Sequence, residues 1–562
     1  MNGLLLLIIS IVVLSTAYLL YGRFLARKWG IDINRKTPAV EQEDGKEYVP
    51  TTPAVVFGHE FASIAGAGPI NGPIIAAMFG WLPALLWLLL GSVFFGAVHD
   101  FAALYTSVRN KGKSIGYVIE CYVGKTGKRL FLIFVWLFSI LIAGAFADIV
   151  AGTFAGFYPT GDPNRTNASS ASASSLFILA AVVLGFLIRK RKASDLASAI
   201  IAIDLLIICI ILGMFFPVYL NKTMWLYLVF AYILISSVVP VWVMSQPRNY
   251  LSSFLLIAMM LSAFIGVIFT SPSINIPAFT GFNVNGNLLF PVLFITIACG
   301  AISGFHSLVA TGAASKQINS EKYMLPISYG AMLVETMVAV LALIAVGSLA
   351  VGGKIPQGTP PQIFATAVSG FLYQLGLPLQ ASYIIVSLAV SSFILTTLDT
   401  VARLGRFAFQ ELFSFDENEG KNIISRAIRS KTAASVFTLL PAYMLATMGY
   451  QTIWTLFGAA NQLLAALTLI ACMLFLKKTK RYVYMLIVPT VIMLAVTYTY
   501  LILSVRNKIT LLMDGRFNPH VDGIQLGIAI LLLILGILVA VSCTKKMLEK
   551  NTSLEETEMV KS

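Results

Sequence analysis

The sequence predicts an all-α, polytopic membrane protein with about 15 transmembrane helices. Composition is the first observation behind this prediction. Of 562 residues, 58% are hydrophobic and 11% charged, against roughly 45–50% and about 25% in a soluble chain. The second is that apolar runs of about 20 residues, enough to cross a bilayer as helix, recur along the whole chain. The third is that the basic residues gather between these runs. Length alone would suggest roughly three or four soluble domains, but the loops are too short to hold one. The runs are continuous rather than alternating, so helices and not barrel strands are expected.

Run 3–22 is long enough to span and ends in Tyr21-Gly22-Arg23, unlike a small-residue cleavage site, so no cleavable signal is expected. A polar loop over 31–50, expected to be mobile, precedes runs 54–80 and 81–105. Run 130–157 leads into a Ser/Ala/Asn-rich outward loop at 158–174, whose sequons at Asn164 and Asn167 matter only in a secretory host. Next come runs 174–188, 195–216, 224–243, 250–271, 289–314 and 324–352. The stretch 361–379 opens with Pro360-Pro361 and is interrupted by Gln374 and Pro378, which predicts an outward interfacial helix. Runs 380–401, 433–448, 452–476, 482–504 and 522–543 follow, then a polar tail at 544–562. The domain organisation expected is an N-terminal helix and basic loop (1–53), a transport core (54–405), and C-terminal helices with a short tail (406–562).

The net charge of +14 would suggest nucleic acid in a soluble chain. Here it reads as topology. With the N-terminus outside, alternate loops divide the basic residues 33 inside to six outside (Arg165, Lys222, Lys354, Arg506, Lys508, Arg516). That bias predicts N-out, C-in and an odd number of spans, in a cell membrane and without a nucleic-acid partner. The cysteines at 121, 209, 299, 472 and 543 have no short metal-type spacing and read as small buried hydrophobes.

Charged groups at membrane depth cost about 2.5–3.5 kcal/mol each, so each is a functional candidate. They are Glu60, Asp100, Asp148, Asp204, Glu335 and Asp399, joined by His59, His99 and His306. Asp100 and Asp399 lie near inner ends of their runs, where pairing with Arg109 or Arg403 is an equal alternative, and Asp204 suits a structural pair. Run 54–80 holds Gly58-His59-Glu60 and then Gly66-Ala67-Gly68-Pro69-Ile70-Asn71-Gly72-Pro73. These glycines and prolines preclude a straight helix. Freed backbone groups at that depth need protein or water partners, and broken helices of this kind build transporter sites. Close helix packing by small residues is the alternative. A second interruption is expected at Ser236-Ser237-Val238-Val239-Pro240-Val241-Trp242, and Ser303 and His306 in run 289–314 add polar candidates. His59-Glu60-Phe61-Ala62-Ser63 is not HExxH, Gly66–Asn71 is not GxGxxG after a strand, and no GxxxxGK[ST] occurs. Neither a paired nucleophile and base nor a demanding metal spacing is found, so no enzyme, metal or cofactor is expected.

The segments FGHEFASIAGAGPINGP (57–73), GAVHDFAALYTSVRNKGKSIG (96–116), TIACGAISGFHSLVATGAASK (296–316), YGAMLVE (329–335) and TLDTVARLGRFAFQEL (397–412) resemble the carbon starvation protein A (CstA) family of membrane transporters. The resemblance implies starvation-linked uptake of peptides or, in a sister branch, of pyruvate with protons. It also implies a fold of the amino acid–polyamine–organocation type, with two inverted five-helix repeats. Joined to the topology, it makes the second to sixth runs one repeat and the seventh to eleventh the other, with substrate between 58–73 and 236–242. The expected substrate residues are Gly58, Gly66, Gly68, Asn71, Gly72, Ser236, Ser237, Ser303 and His306. The expected proton carriers are His59, Glu60, Asp100, Asp148 and Asp399, with Glu60 and Asp148 foremost. Sodium symport and a passive channel are the rival readings.

The charge bias makes a direct prediction. Green fluorescent protein fused after Ser562 should fluoresce and alkaline phosphatase fused there should be inactive. The reverse pair of results would overturn N-out, C-in.

Overall fold

Helix dominates the structure, a computed structural model that describes residues 1–45, 47–158, 160–191, 195–240, 243–413 and 430–548. Among the described residues the β-structure is one antiparallel two-stranded ribbon, Asn283–Val284 with Asn287–Leu288, and isolated bridges. Among the described residues, ten helices are long and apolar enough to cross a membrane, and eleven if the bent pair Pro53–Ile64 and Gly68–Phe79 counts as one span. The remaining runs hold shorter helices: Ala199–Phe215, Lys222–Val238, Lys431–Ala446, and Leu289–Thr296 with Gly304–Gly312.

Burial ranks the helices. Within the spanning windows, Tyr450–Lys478 is 100% buried, Leu379–Leu412 89% and Lys125–Phe154 83%, while Gly3–Trp29 at the periphery is 28%. Lipid tails are as apolar as leucine, so close packing rather than water exclusion must hold such helices together. Small residues provide it here. Gly405 packs against Thr438 and Ser139, Gly144 against Leu445 and the Ala442 carbonyl, and Gly458 against the Ile295 carbonyl.

Two expected loops are built differently. The stretch 165–174, expected to be a loop, forms the start of the Arg165–Arg191 helix. Its Ala and Ser side chains let the backbone approach helix Asp195–Phe215 closely: Gly213 sits against Ala173 and the Ser169 carbonyl, and Ser172 Oγ donates to the Phe216 carbonyl at 2.6 Å. The 31–50 segment is tied to its neighbours rather than free. Thr37 Oγ1 donates to the Ile318 carbonyl at 2.5 Å, Tyr48 OH to that of Lys111 at 3.0 Å, and the Val49 N–H to that of Lys316 at 3.1 Å. The stretch expected to form an interfacial helix is helical over Pro360–Gln374, opened by a Thr359/Gln362 capping box, with ten of its residues buried. The tail from 549 lies outside the described residues.

The first helix break falls where the glycines and Pro69 predict it. Helix Pro53–Ile64 stops, Ala65 leaves the helical region, and the chain resumes at Gly68 with a bend of 44°. Gly80, at φ +104°, then turns the chain into helix Trp81–Gly91.

The second break is not at 236–242. Lys222–Val238 is one uninterrupted helix that simply ends before Pro240, with Val241 and Trp242 outside the described residues. The second discontinuous span is 289–312, where helix Leu289–Thr296 gives way to irregular backbone before helix Gly304–Gly312. The broken runs are therefore the second and the ninth, not the second and the seventh. The physical reason is that Ser236-Ser237-Val238 can continue a helix up to a proline, whereas the chain leaves the helical region between Ile297 and Ser303, where Asn461 takes up the Phe305 N–H that the break frees. A Cβ at Gly304 would lie 2.5 Å from both the Asn461 carbonyl oxygen and the Ala465 nitrogen.

These contacts predict asymmetric tolerance of glycine substitution. A Cβ at Gly458 would lie 2.3 Å from the Ile295 carbonyl oxygen, whereas nothing lies within 4 Å of one at Gly370. Gly458→Leu should cost about 1–3 kcal/mol or more through overpacking, seen as loss of the monodisperse peak in fluorescence-detected size exclusion. Gly370→Ala should elute unchanged.

Candidate functional site

The two breaks lie against each other. A Cβ on Gly68 would come 2.4 Å from Cys299 Sγ, and one on Gly72 would come 2.8 Å from the Thr296 carbonyl oxygen. Half-helices Gly68–Ala76 and Gly304–Gly312 both begin at this junction, and Pro53–Ile64 and Leu289–Thr296 both end there. The junction thus collects two positive dipole ends and two negative ones. Asn71 is fully buried beside it, and among the described residues both of its amide atoms and Thr296 Oγ1 are unpartnered. An orphaned buried amide offers both a donor and an acceptor to a ligand.

Asn461, from helix Tyr450–Lys478, holds the second break. Its Oδ1 accepts from the Phe305 N–H at 3.1 Å, and its Nδ2 donates to Ser303 Oγ at 3.1 Å and to Cys299 Sγ at 3.4 Å. Ser307 Oγ and Thr468 Oγ1 share a further bond at 3.1 Å.

A His–carboxyl network fills the space next to the junction. His306, two residues past the second break, sets Nδ1 2.8 Å from Asp100 Oδ2 and Nε2 3.2 Å from Glu335 Oε2. His99 Nδ1 lies 2.8 Å from Asp100 Oδ1. Glu60, one turn before the first break, is 1% exposed with Oε2 unpartnered, and its charge neighbours are Asp100 and His306. Four helices supply these groups: Pro53–Ile64, Ala97–Arg109, Gly304–Gly312 and Ala331–Leu349. Three carboxyls and two imidazoles share a volume closed to water. The carboxyls outnumber the imidazoles by one, and such a cluster at membrane depth is a candidate site for proton exchange.

Several expected residues fall elsewhere. Gly58 is exposed with open space around it, and His59 is half-buried. Asp148 does not join the network. It pairs with Lys222 Nζ at 2.7 Å and accepts the Tyr450 N–H at 2.8 Å, so it caps the N-terminus of helix Tyr450–Lys478 and is structurally accounted for. Asp399 pairs with Arg248 at 2.6 Å rather than with Arg403, which instead meets the Ser236 carbonyl. Asp100 is likewise not paired with Arg109, which binds Glu321 at 2.8 Å. Ser237 Oγ bonds Ser435 Oγ at 2.7 Å, and Ser236 and Ser237 close a helix rather than a substrate cleft. Asp204 is exposed. Gly66 does sit at the junction, against Thr397 Oγ1 of helix Leu379–Leu412. The junction and its network therefore gather Glu60, Gly66, Gly68, Asn71, Gly72, Asp100, Ser303 and His306. Sequence reading noted Glu335 without assigning it and missed Asn461. The signal for the latter was present, an Asn461-Gln462 amide pair in the middle of an apolar run. Among the described residues no group of three or more His, Cys, Asp and Glu is arranged to hold a metal ion.

Comparison with known proteins bears on this geometry. The family model described as Carbon starvation protein CstA matches residues 2–355 and 353–500. The peptide transporter CstA of Bacillus subtilis (strain 168) is 32% identical, with 97% of each chain covered. The pyruvate/proton symporter BtsT of Escherichia coli (strain K12) is 30% identical, covering 88% of this chain and 81% of that protein. Among solved structures, the manganese transporter of Eremococcus coleocola aligns with a TM-score of 0.47 and 10% identity, over 89% of this chain and 98% of that one.

Asn461→Ala removes the partner of a buried backbone N–H and of Ser303. The expected cost is about 1–3 kcal/mol, read as a lowered thermal unfolding midpoint in detergent. An unchanged midpoint would show that Asn461 does not hold the break.

Proposed function

The chain belongs to the carbon starvation protein CstA family, and from that premise we propose that it is a proton-coupled importer of small carboxylate-bearing nutrients, peptides or pyruvate, used when preferred carbon is short. Its family and relatives are transporters, not enzymes, and it is a multi-pass membrane protein. The observation that carries the coupling proposal is the buried network of Glu60, Asp100, His306 and Glu335 at the meeting of two broken helices.

The mechanism is alternating access around this junction. The N-termini of half-helices Gly68–Ala76 and Gly304–Gly312 meet the substrate carboxylate, and Asn71 supplies an amide to a peptide group or a keto oxygen. A proton taken up by the Glu60–Asp100–His306–Glu335 group neutralises it while substrate is bound. Its release to the other side resets the carrier.

The proposed architecture has fifteen spans with the N-terminus outside. Support comes from the order of elements, in which a broken span, a span, a short helix and a long span occur twice. They are 53–79, 81–109, 115–123 and 125–154, then 289–312, 321–349, 360–374 and 379–412. In the charge-based topology the second set runs opposite to the first, as inverted repeats do. The repeat therefore starts at the ninth run rather than the seventh. The core expected at 54–405 then also takes in Tyr450–Lys478, through Asn461.

A sodium-coupled carrier is the second reading. It is favoured by one contact, Gly66 against the Thr397 hydroxyl beside carbonyls freed at the first break.

Uptake into proteoliposomes separates the readings. Pyruvate, a dipeptide and a tripeptide are offered under an imposed proton gradient or an imposed sodium gradient. Accumulation above the outside concentration that needs the proton gradient is expected. Accumulation driven by sodium alone would overturn proton coupling, and equilibration without accumulation would indicate a channel. Glu60→Gln should keep substrate binding but lose the response to the proton gradient, and Asp100→Asn and His306→Ala should lower uptake at least tenfold. Undiminished proton-driven uptake in all three would sink the network's role.

A further inference from the structure

A second cluster of membrane-embedded charge is not used by this mechanism. Helices Ser245–Thr270 and Leu379–Leu412 bring Arg248, Arg403 and Arg406 to the C-terminal end of helix Lys222–Val238, where Asp399 pairs with Arg248. Arg248 Nη1 pairs with Asp399 Oδ2 at 2.6 Å and also meets the Tyr232 hydroxyl, which donates to Asp399 at 3.0 Å. Arg403 donates to the Ser236 carbonyl and to Ser245 Oγ, and Arg406 to the Ser237 carbonyl at 2.5 Å. Arg248 is 1% exposed and Arg406 4%.

The charges do not balance. Guanidinium groups stay protonated in proteins, and among the described residues Asp399, paired with Arg248, is the one acid in an ion pair with any of the three arginines. The helix C-terminus contributes about half a negative charge through its carbonyls, which leaves an excess of about 1.5 positive charges at membrane depth. The hydrogen bonds do not close either. Nε and Nη2 of Arg248, Nε of Arg403 and Nε of Arg406 are buried and have no partner among the described residues, while Asp399 Oδ1 is a buried acceptor without one. Capping of the helix accounts for one edge of Arg403 and of Arg406. It accounts for none of these free N–H groups.

We propose that Arg248, Arg403 and Arg406 form an anion site that takes a single carboxylate group. One bound anion brings the cluster close to neutrality. A planar carboxylate accepts two parallel N–H bonds from one guanidinium, the geometry that the unpartnered Nε–Nη2 edge of Arg248 offers. The site shares no side chain with the His306 network, yet it adjoins the central junction: Asp399 is two residues from Thr397, which touches Gly66. It lies toward the side that the charge bias assigns to the cytoplasm, where a carboxylate leaving the junction next meets positive charge.

The test uses the full-length protein in phosphatidylcholine nanodiscs, with radiolabelled acetate as probe and no proton gradient, so it succeeds or fails independently of the proposed symport. Saturable acetate binding, displaced by pyruvate, is expected. Arg406→Gln should weaken it at least tenfold. Because Arg406→Gln also removes a helix cap, Arg406→Lys provides the second variant. It keeps a charge and a donor for the Ser237 carbonyl, and should keep the unfolding midpoint near that of the native protein while still losing affinity. Absence of saturable acetate binding, or equal affinity in the native protein and both variants, would overturn the site. Displacement of acetate by inorganic phosphate or by phosphatidylglycerol at tenfold lower concentration than pyruvate would overturn the carboxylate assignment in favour of a phosphate or a lipid headgroup.

Discussion

Backbone polar groups released inside an apolar solvent must find partners within the protein, and this requirement organises the molecule. At 65–67 and again between Thr296 and Gly304 the chain leaves the helical ladder at membrane depth. Neither break is tolerable alone. The structure sets one against the other and drives the amide of Asn461 into the second. Contacts this close leave no room for side chains, which is why Gly68, Gly72 and Gly304 stand where backbones or Cys299 approach within van der Waals limits. Tyr450–Lys478 must lie at the centre to deliver Asn461, and it is the most buried of the ten candidate spans among the described residues.

The same solvent governs the charges. A carboxylate at this depth survives by one of three routes. Asp148 takes a lysine and a helix N-terminus, Asp399 takes an arginine and a tyrosine, and Glu60, Asp100 and Glu335 cluster about imidazoles. The first two routes give fixed partners of fixed charge. Only the third sets carboxyls against imidazoles, even though all five carboxylates look alike in the chain.

Legibility varied with the range of the interaction. The break at Gly66–Pro73 was readable because glycine and proline act on their own backbone. The helical class and the run of apolar segments were readable because solvent sorts composition. The 165–174 stretch was misread as loop, since Ser and Ala resemble a linker until another helix comes close enough to use their small size. Ser236–Pro240 was misread as an interruption, because a proline that ends a helix and one that breaks a span look the same locally. Asn461 and the Arg248–Asp399 pair join residues 156 and 151 positions apart along the chain, as Phe305 to Asn461 and Arg248 to Asp399, and no local rule reaches that far.

By itself, then, the sequence determined the solvent, the helical class, the position of the first broken helix and the short roster of polar groups that membrane burial makes costly. Each of these follows from one residue's own preference or from a local average. The tertiary structure decided which break faces which, that His306 rather than an arginine holds Asp100, and that Asp148 braces a helix instead of joining the network. Those outcomes depend on which distant surfaces come into contact, and electrostatic partners in a low-dielectric interior are chosen by distances of a few ångströms that only the packed chain defines.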